Sequence, residues 1–144
     1  MSDEVTENRM ETNDFKTEWC LLQNQFDSYE KHSLYIKLLS VIALLLAEAL
    51  SMSNIFIILI LTVLWLQDAI WKTFQSRIEP RLLQLEGYIQ EGGENVPFQF
   101  NSEYQKVRLT GLSLIAEYIS QSIRPTVAFP YVVLILILAA QCLL

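Results

Sequence analysis

LYIKLLSVIALLLAEALSMSNIFIILILTVLWLQDAIWK, Leu34 to Lys72, decides the fold. Leu38 to Leu50 holds one ionisable residue, Glu48, and Ile55 to Leu66 holds none. Apolar side chains cover every face of both halves, whereas a soluble core helix shows a single stripe. With its flanks, each half is roughly 18–20 residues long, about what a ~30 Å hydrocarbon layer requires. Ser51-Met52-Ser53-Asn54 separates them as a turn. The stretch therefore predicts a transmembrane helical hairpin, with spans at about 34–52 and 55–72.

Outside the hairpin the composition agrees. The chain has 144 residues, one folding unit by length, 52% hydrophobic and only 18% charged. The net charge of −6 comes largely from an acidic N-terminal arm, where Asp3, Glu4, Glu7, Glu11, Asp14 and Glu18 precede the first span. No basic stripe with interleaved aromatics is present, which argues against a nucleic-acid partner. The two cysteines, Cys20 and Cys142, fall on opposite sides of the bilayer in the expected topology and so cannot pair; Cys20 is expected to be a packed thiol. Ala47-Glu48-Ala49 resembles a signal-cleavage site, but the segment before it is too long and acidic for a leader, and a second span follows at once.

In chain order, residues 1–14 are polar and acidic and are expected to be mobile. Phe15, Trp19, Leu22, Phe26 and Tyr29 then recur in alternating steps of four and three, the spacing of a helix that packs against a partner. No Pro or Gly interrupts the run from there to Met52, so one long helix is expected. The second helix carries its own stripe through Trp71, Phe74, Ile78, Leu82, Leu85 and Ile89. Pro80 is expected to kink or divide it, and Gly92-Gly93 to end it near residue 91. A loop follows at 92–101. Ser102 opens an amphipathic helix over 102–124, cytoplasmic or interfacial, with Leu112, Ile115, Ile119 and Ile123 as its buried stripe and Arg124-Pro125 as its stop. Residues 126–144 carry no charge and are read as a third transmembrane helix.

Every one of the ten lysines and arginines lies either before or at the start of the first span, or between the second and third. The positive-inside rule then puts the N-terminus and residues 72–125 in the cytoplasm, with the turn and the C-terminus outside. The fold expected is an all-α membrane protein. Its transmembrane hairpin extends over residues 15–91 into a cytoplasmic two-helix stalk, followed by the amphipathic helix and a third span.

A turn centred between Met52 and Ser53 sets the register. It brings Asp68 level with Lys37, Trp19 with Glu86, Leu22 with Leu83 and Phe26 with Glu79. Lys37 and Asp68 are expected to pair across the hairpin; the plainer alternative is that Lys37 snorkels to headgroups while Asp68 meets water. Phe15, Trp19, Leu22 and Phe26 would meet Ile78, Leu82 and Leu85 in the stalk, or these stripes would pack on the third helix or a second subunit. Asp27, Glu30, Arg77 and Arg81 read as a solvated face with weak ion pairs, and Trp65, Trp71 and Tyr131 as interfacial anchors. Glu48 is the intramembrane ionisable residue with a claim to function, as a proton or cation site or a protein contact; the plainer reading is that it reaches the outer interface or stays protonated. No catalytic constellation, glycine-rich phosphate loop or metal-ligand spacing is present, so no enzyme, cofactor or metal is expected.

YEKHSLYIKLL at 29–39 and LWLQDAIWKTFQSRIEPRLLQLE at 64–86 resemble segments of small uncharacterised bacterial inner-membrane proteins, which share a Tyr-Glu-Lys-His-x-Leu run before the first span and a Leu-Trp-x-x-Asp-Ala run ending the second. The resemblance covers about half of the chain. It implies a bacterial cytoplasmic membrane as the address and adds no site residue. The function expected is that of a membrane-anchored accessory or scaffold subunit, working by self-association or contact with a larger membrane protein. The alternatives are a small pore-forming or membrane-perturbing protein, and a proton-coupled transporter subunit using Glu48.

Overall fold

The computed structural model describes residues 2–91, 97–107 and 109–143. They form five helices, α1 (Ser2–Ala49), α2 (Asn54–Glu91), α3 (Phe100–Val107), α4 (Leu112–Ile123) and α5 (Pro125–Leu143), with no strand among the described residues. α1 and α2 are both long and apolar enough to cross a membrane. Their most apolar windows have mean hydropathies of 1.5 and 1.9, and only 22% of each window is covered by the rest of the chain. α4 and α5 pass the same test only as a pair, bent by 66° where they join.

The turn between α1 and α2 closes with a Schellman arrangement. Ser51, at φ 53, holds the left-handed position usually given to glycine. The amide of Met52 donates to the Ala47 carbonyl at 2.9 Å and that of Ser51 to the Glu48 carbonyl at 3.0 Å, satisfying carbonyls that the end of α1 would leave open.

Two compact units make up the chain. One comprises Met1–Ser28 with Gln75–Leu109. Its core is Phe15, Ile78, Leu82 and Leu85, with Trp19, Leu22 and Phe26 half-buried. Phe15 packs against Tyr88 with ring centroids 5.7 Å apart. Leu83, expected opposite Leu22, is instead exposed, because α2 turns its Leu82 and Leu85 face inward.

The second unit comprises Tyr29–Phe74 with Thr110–Leu144. α1, α2 and α5 pack around Leu44, Ala47, Ile57, Leu61, Leu134 and Leu138. On α1 the buried positions are Ser33, Ser40, Leu44 and Ala47, and small residues there let helices approach closely. On α5 they are Val127, Tyr131, Leu134 and Leu138, again in steps of four and three. Large apolar side chains face outward all round the unit, among them Leu45, Ile55, Leu59, Val63 and Leu136.

Several expectations are corrected. α1 begins at Ser2, so the backbone of the acidic arm is helical rather than a separate segment. Pro80 lies inside an unbroken α2, which therefore is not divided there. The expected loop at 92–101 lies partly outside the described residues, and Phe100 and Asn101 belong to α3. The single helix over 102–124 is two helices, since Gly111 has φ 60, a backbone that side chains disfavour, and it starts α4 afresh. The stripe expected to be buried points outward: Leu112 is 84% exposed and Ile123 66%, while Gln121 on the other face is buried.

The two described glycines make a matched test. A Cβ at either Gly87 or Gly111 would meet nothing within 4 Å, so only the backbone distinguishes them. Gly111→Ala is expected to cost about 1–3 kcal/mol, because its φ is strained for alanine. Gly87→Ala, inside α2, is expected to stabilise by about 0.5–1 kcal/mol. Thermal unfolding followed by circular dichroism checks the pair, and shifts of the same sign would contradict the assignment.

Candidate functional site

Asp68, in the second unit, is the buried carboxylate there, with no accessible surface. A carboxylate so placed is tolerated only with partners, and it has three. The Ser33 hydroxyl donates to its Oδ1. Lys37 Nζ lies 3.5 Å from Oδ2. The Tyr131 hydroxyl donates to Oδ2 at 3.5 Å from α5. Lys37 also donates to Ser33 Oγ at 3.1 Å, one turn back on α1, so lysine, serine and aspartate form a closed triangle. Ser40 extends the polar line down α1 by donating to the Lys37 carbonyl at 2.7 Å.

Aromatic rings enclose this tier. Trp65 stacks on Tyr131 at 6.2 Å and donates through Nε1 to the Ser122 carbonyl of α4 at 3.0 Å. Trp71 stacks on His32 at 4.8 Å and lies 5.4 Å from Tyr29. Of the three residues read as interfacial anchors, Tyr131 is wholly buried, whereas Trp65 and Trp71 pack against other rings and stay half-exposed. A cavity of about 310 Å³ opens beside the tier between α1, α2 and α5, with Lys31, Lys37 and Lys72 in its wall.

The first unit holds a second buried pair. Arg81 grips Glu18 in bidentate fashion, with Nε to Oε1 at 2.9 Å and Nη2 to Oε2 at 3.0 Å. The Phe98 amide donates to the same Oε2 at 2.6 Å, and Phe98 sits at φ 61. The pair is nearly sealed, its side chains 6% and 4% exposed, so Arg81 does not belong to a solvated face as the sequence suggested. Trp19 Nε1 donates to Glu86 Oε1 at 3.1 Å, at the level the turn predicts. Phe26, expected opposite Glu79, instead lends its carbonyl to Gln75 at 3.4 Å, so the depth rule is good to about one helical turn.

Glu48 lies exposed at the end of α1 beside the turn. Cys20 is a free, exposed thiol rather than a packed one, since it falls outside the inward face marked by Phe15, Glu18 and Leu22. The side chain of Cys142 lies outside the described residues. Among the described residues no three His, Cys, Asp or Glu side chains converge as metal ligands. Sequence reasoning identified Lys37 and Asp68 but missed Ser33, Tyr131, Glu18 and Arg81. Ser33 was within reach, since Ser33, Lys37 and Ser40 share one face of α1 at steps of four and three. Tyr131 was not, because nothing local ties α5 to Asp68.

No family model, curated protein or solved structure matches this chain.

Proposed function

We propose that the chain is a non-enzymatic multi-pass membrane protein, an accessory or scaffold subunit that acts through contacts made by its spans. The observation that carries this reading is the outward apolar surface of the second unit. Leu45, Ile55, Leu59, Val63 and Leu136 are each at least 59% exposed around a core that uses only narrow stripes of the same helices. Water would not tolerate such a belt, whereas lipid and neighbouring helices would. The buried carboxylates support a structural rather than a catalytic role. Asp68 is taken up by Ser33, Lys37 and Tyr131, and Glu18 by Arg81 and the Phe98 amide.

In this reading residues 34–52, 55–72 and 126–144 span a bacterial cytoplasmic membrane. The charge distribution supports a cytoplasmic N-terminus and an external C-terminus. Three spans are too few to enclose a transport path alone, so the partner is a second copy or a larger membrane protein.

The topology has a direct test. In a Cys20→Ser/Cys142→Ser background, Met52→Cys is expected to react with an impermeant maleimide on intact cells, and Asn101→Cys only after lysis. Labelling of both on intact cells would overturn the orientation. Photocrosslinkers at Leu45 and Leu136 are expected to capture a second copy or one defined protein. Crosslinks to lipid alone would sink the scaffold role while leaving the spans in place.

A further inference from the structure

The 310 Å³ cavity beside Asp68 is walled by α1, α2 and α5. Its lining is strongly biased in charge: Lys31, Lys37 and Lys72 against Glu30 alone, with the hydroxyls of Ser33 and Thr126. Lys72 lies within electrostatic reach of Glu30 and Asp68 as well as of Lys37 and Arg124, so with Lys31 four cations stand against two carboxylates and the excess is positive. Asp68 positions one of these cations, since Lys37 is held between its carboxylate at 3.5 Å and Ser33 Oγ at 3.1 Å. An ammonium has three N–H donors, so the Lys37 arrangement leaves one for a ligand.

The cavity is also amphiphilic. Leu34 forms part of its wall, and Leu34, Leu38, Ile42 and Leu45 continue from it along one exposed face of α1 toward the turn. An anion-binding pocket that opens onto an apolar track matches a phosphate headgroup with its acyl chains rather than a free ion. Basic pockets between spans on the cytoplasmic side are built for such headgroups.

We infer that this cavity binds the phosphate headgroup of an anionic phospholipid, with Lys31, Lys37 and Lys72 as its cationic ligands and the Leu34–Leu45 face of α1 bearing an acyl chain. The inference rests on the membrane reading above and names what that reading leaves open, the lipid the protein selects. The exposed Lys31 and the half-buried Lys72 do the selecting, and Lys37 fixes the depth at which the phosphate sits.

The test is native mass spectrometry of the purified protein released from nanodiscs that contain phosphatidylglycerol and phosphatidylcholine of identical chains. Preferential retention of phosphatidylglycerol is expected. Lys31→Gln/Lys72→Gln should weaken it by about fivefold per lysine. Lys16→Gln/Lys106→Gln removes the same charge elsewhere and should leave retention unchanged, as should millimolar inorganic phosphate. Lys31→Gln alone, at an exposed position, keeps the test alive if the double variant loses helicity. Equal retention of both lipids, an equal loss in the control variant, or displacement by inorganic phosphate would each overturn the inference. Recovery of the protein from the aqueous phase without detergent would instead defeat the membrane reading, before any lipid is added.

Discussion

Lys37→Met is expected to destabilise the protein by about 3–5 kcal/mol, and Asp68→Asn by only about 1–2 kcal/mol. The asymmetry follows from where each partner sits. Asp68 is sealed, its side chain 0% exposed, so losing the ammonium leaves a buried carboxylate without its closest cation, hydrogen-bonded by two hydroxyls. The Lys37 side chain is 21% exposed and can turn toward water when its partner loses charge. Asparagine also keeps one oxygen to accept from Ser33 or Tyr131, and its NH2 can donate to the other hydroxyl. Thermal unfolding followed by tryptophan fluorescence measures both, with Trp65 and Trp71 beside the tier. Equal losses would mean that the pair is not held in the geometry described.

The second large effect belongs to the first unit. Arg81→Met is expected to cost about 3–5 kcal/mol, because it leaves Glu18 buried with only the Phe98 amide. Glu18→Leu/Arg81→Met should recover most of that loss, since two apolar groups of similar size need no partner. Arg81→Lys should fall well short of wild type, because an ammonium cannot reproduce the bidentate grip through Nε and Nη2. A double-mutant cycle read by chemical unfolding gives the coupling. Additive single losses would show that Glu18 and Arg81 contribute independently.

The two long apolar helices were legible because composition alone marks them, and the turn because Ser51 to Asn54 interrupts two uniform blocks. Which face of each helix is inward was much less visible. In the first stretch of α1, Phe15 and Trp19 stand out against polar neighbours. Farther along, Leu44 and Leu45 look alike in sequence, yet one is 7% and the other 64% exposed. Only the small residues Ser33, Ser40 and Ala47 betray the seam there, at the spacing that Phe15 begins.

α4 was misread for a related reason. Leu112, Ile115, Ile119 and Ile123 do form a stripe, but a stripe says only that a face avoids water. It does not say whether protein or lipid receives it. The buried pair of Glu18 and Arg81 escaped because charged residues at that spacing usually mark a solvated surface. The Phe98 amide that shares Glu18 with Arg81 is remote in sequence from both.

Backbone hydrogen bonds close the corner between α4 and α5. The Arg124 amide donates to the Gln121 carbonyl at 3.3 Å, the Arg124 carbonyl receives Val127 at 2.9 Å and Ala128 at 2.8 Å, and Pro125 has no N–H to satisfy. With the ring of Pro125 fixing the backbone torsion there, the 66° angle is an elbow of set pitch rather than a loose joint. α5 carries Leu134 and Leu138 into the centre of the bundle, so a displacement of α4 that kept this angle would move them too. Whatever holds the outward isoleucines of α4 has a lever on the packing of all three long helices.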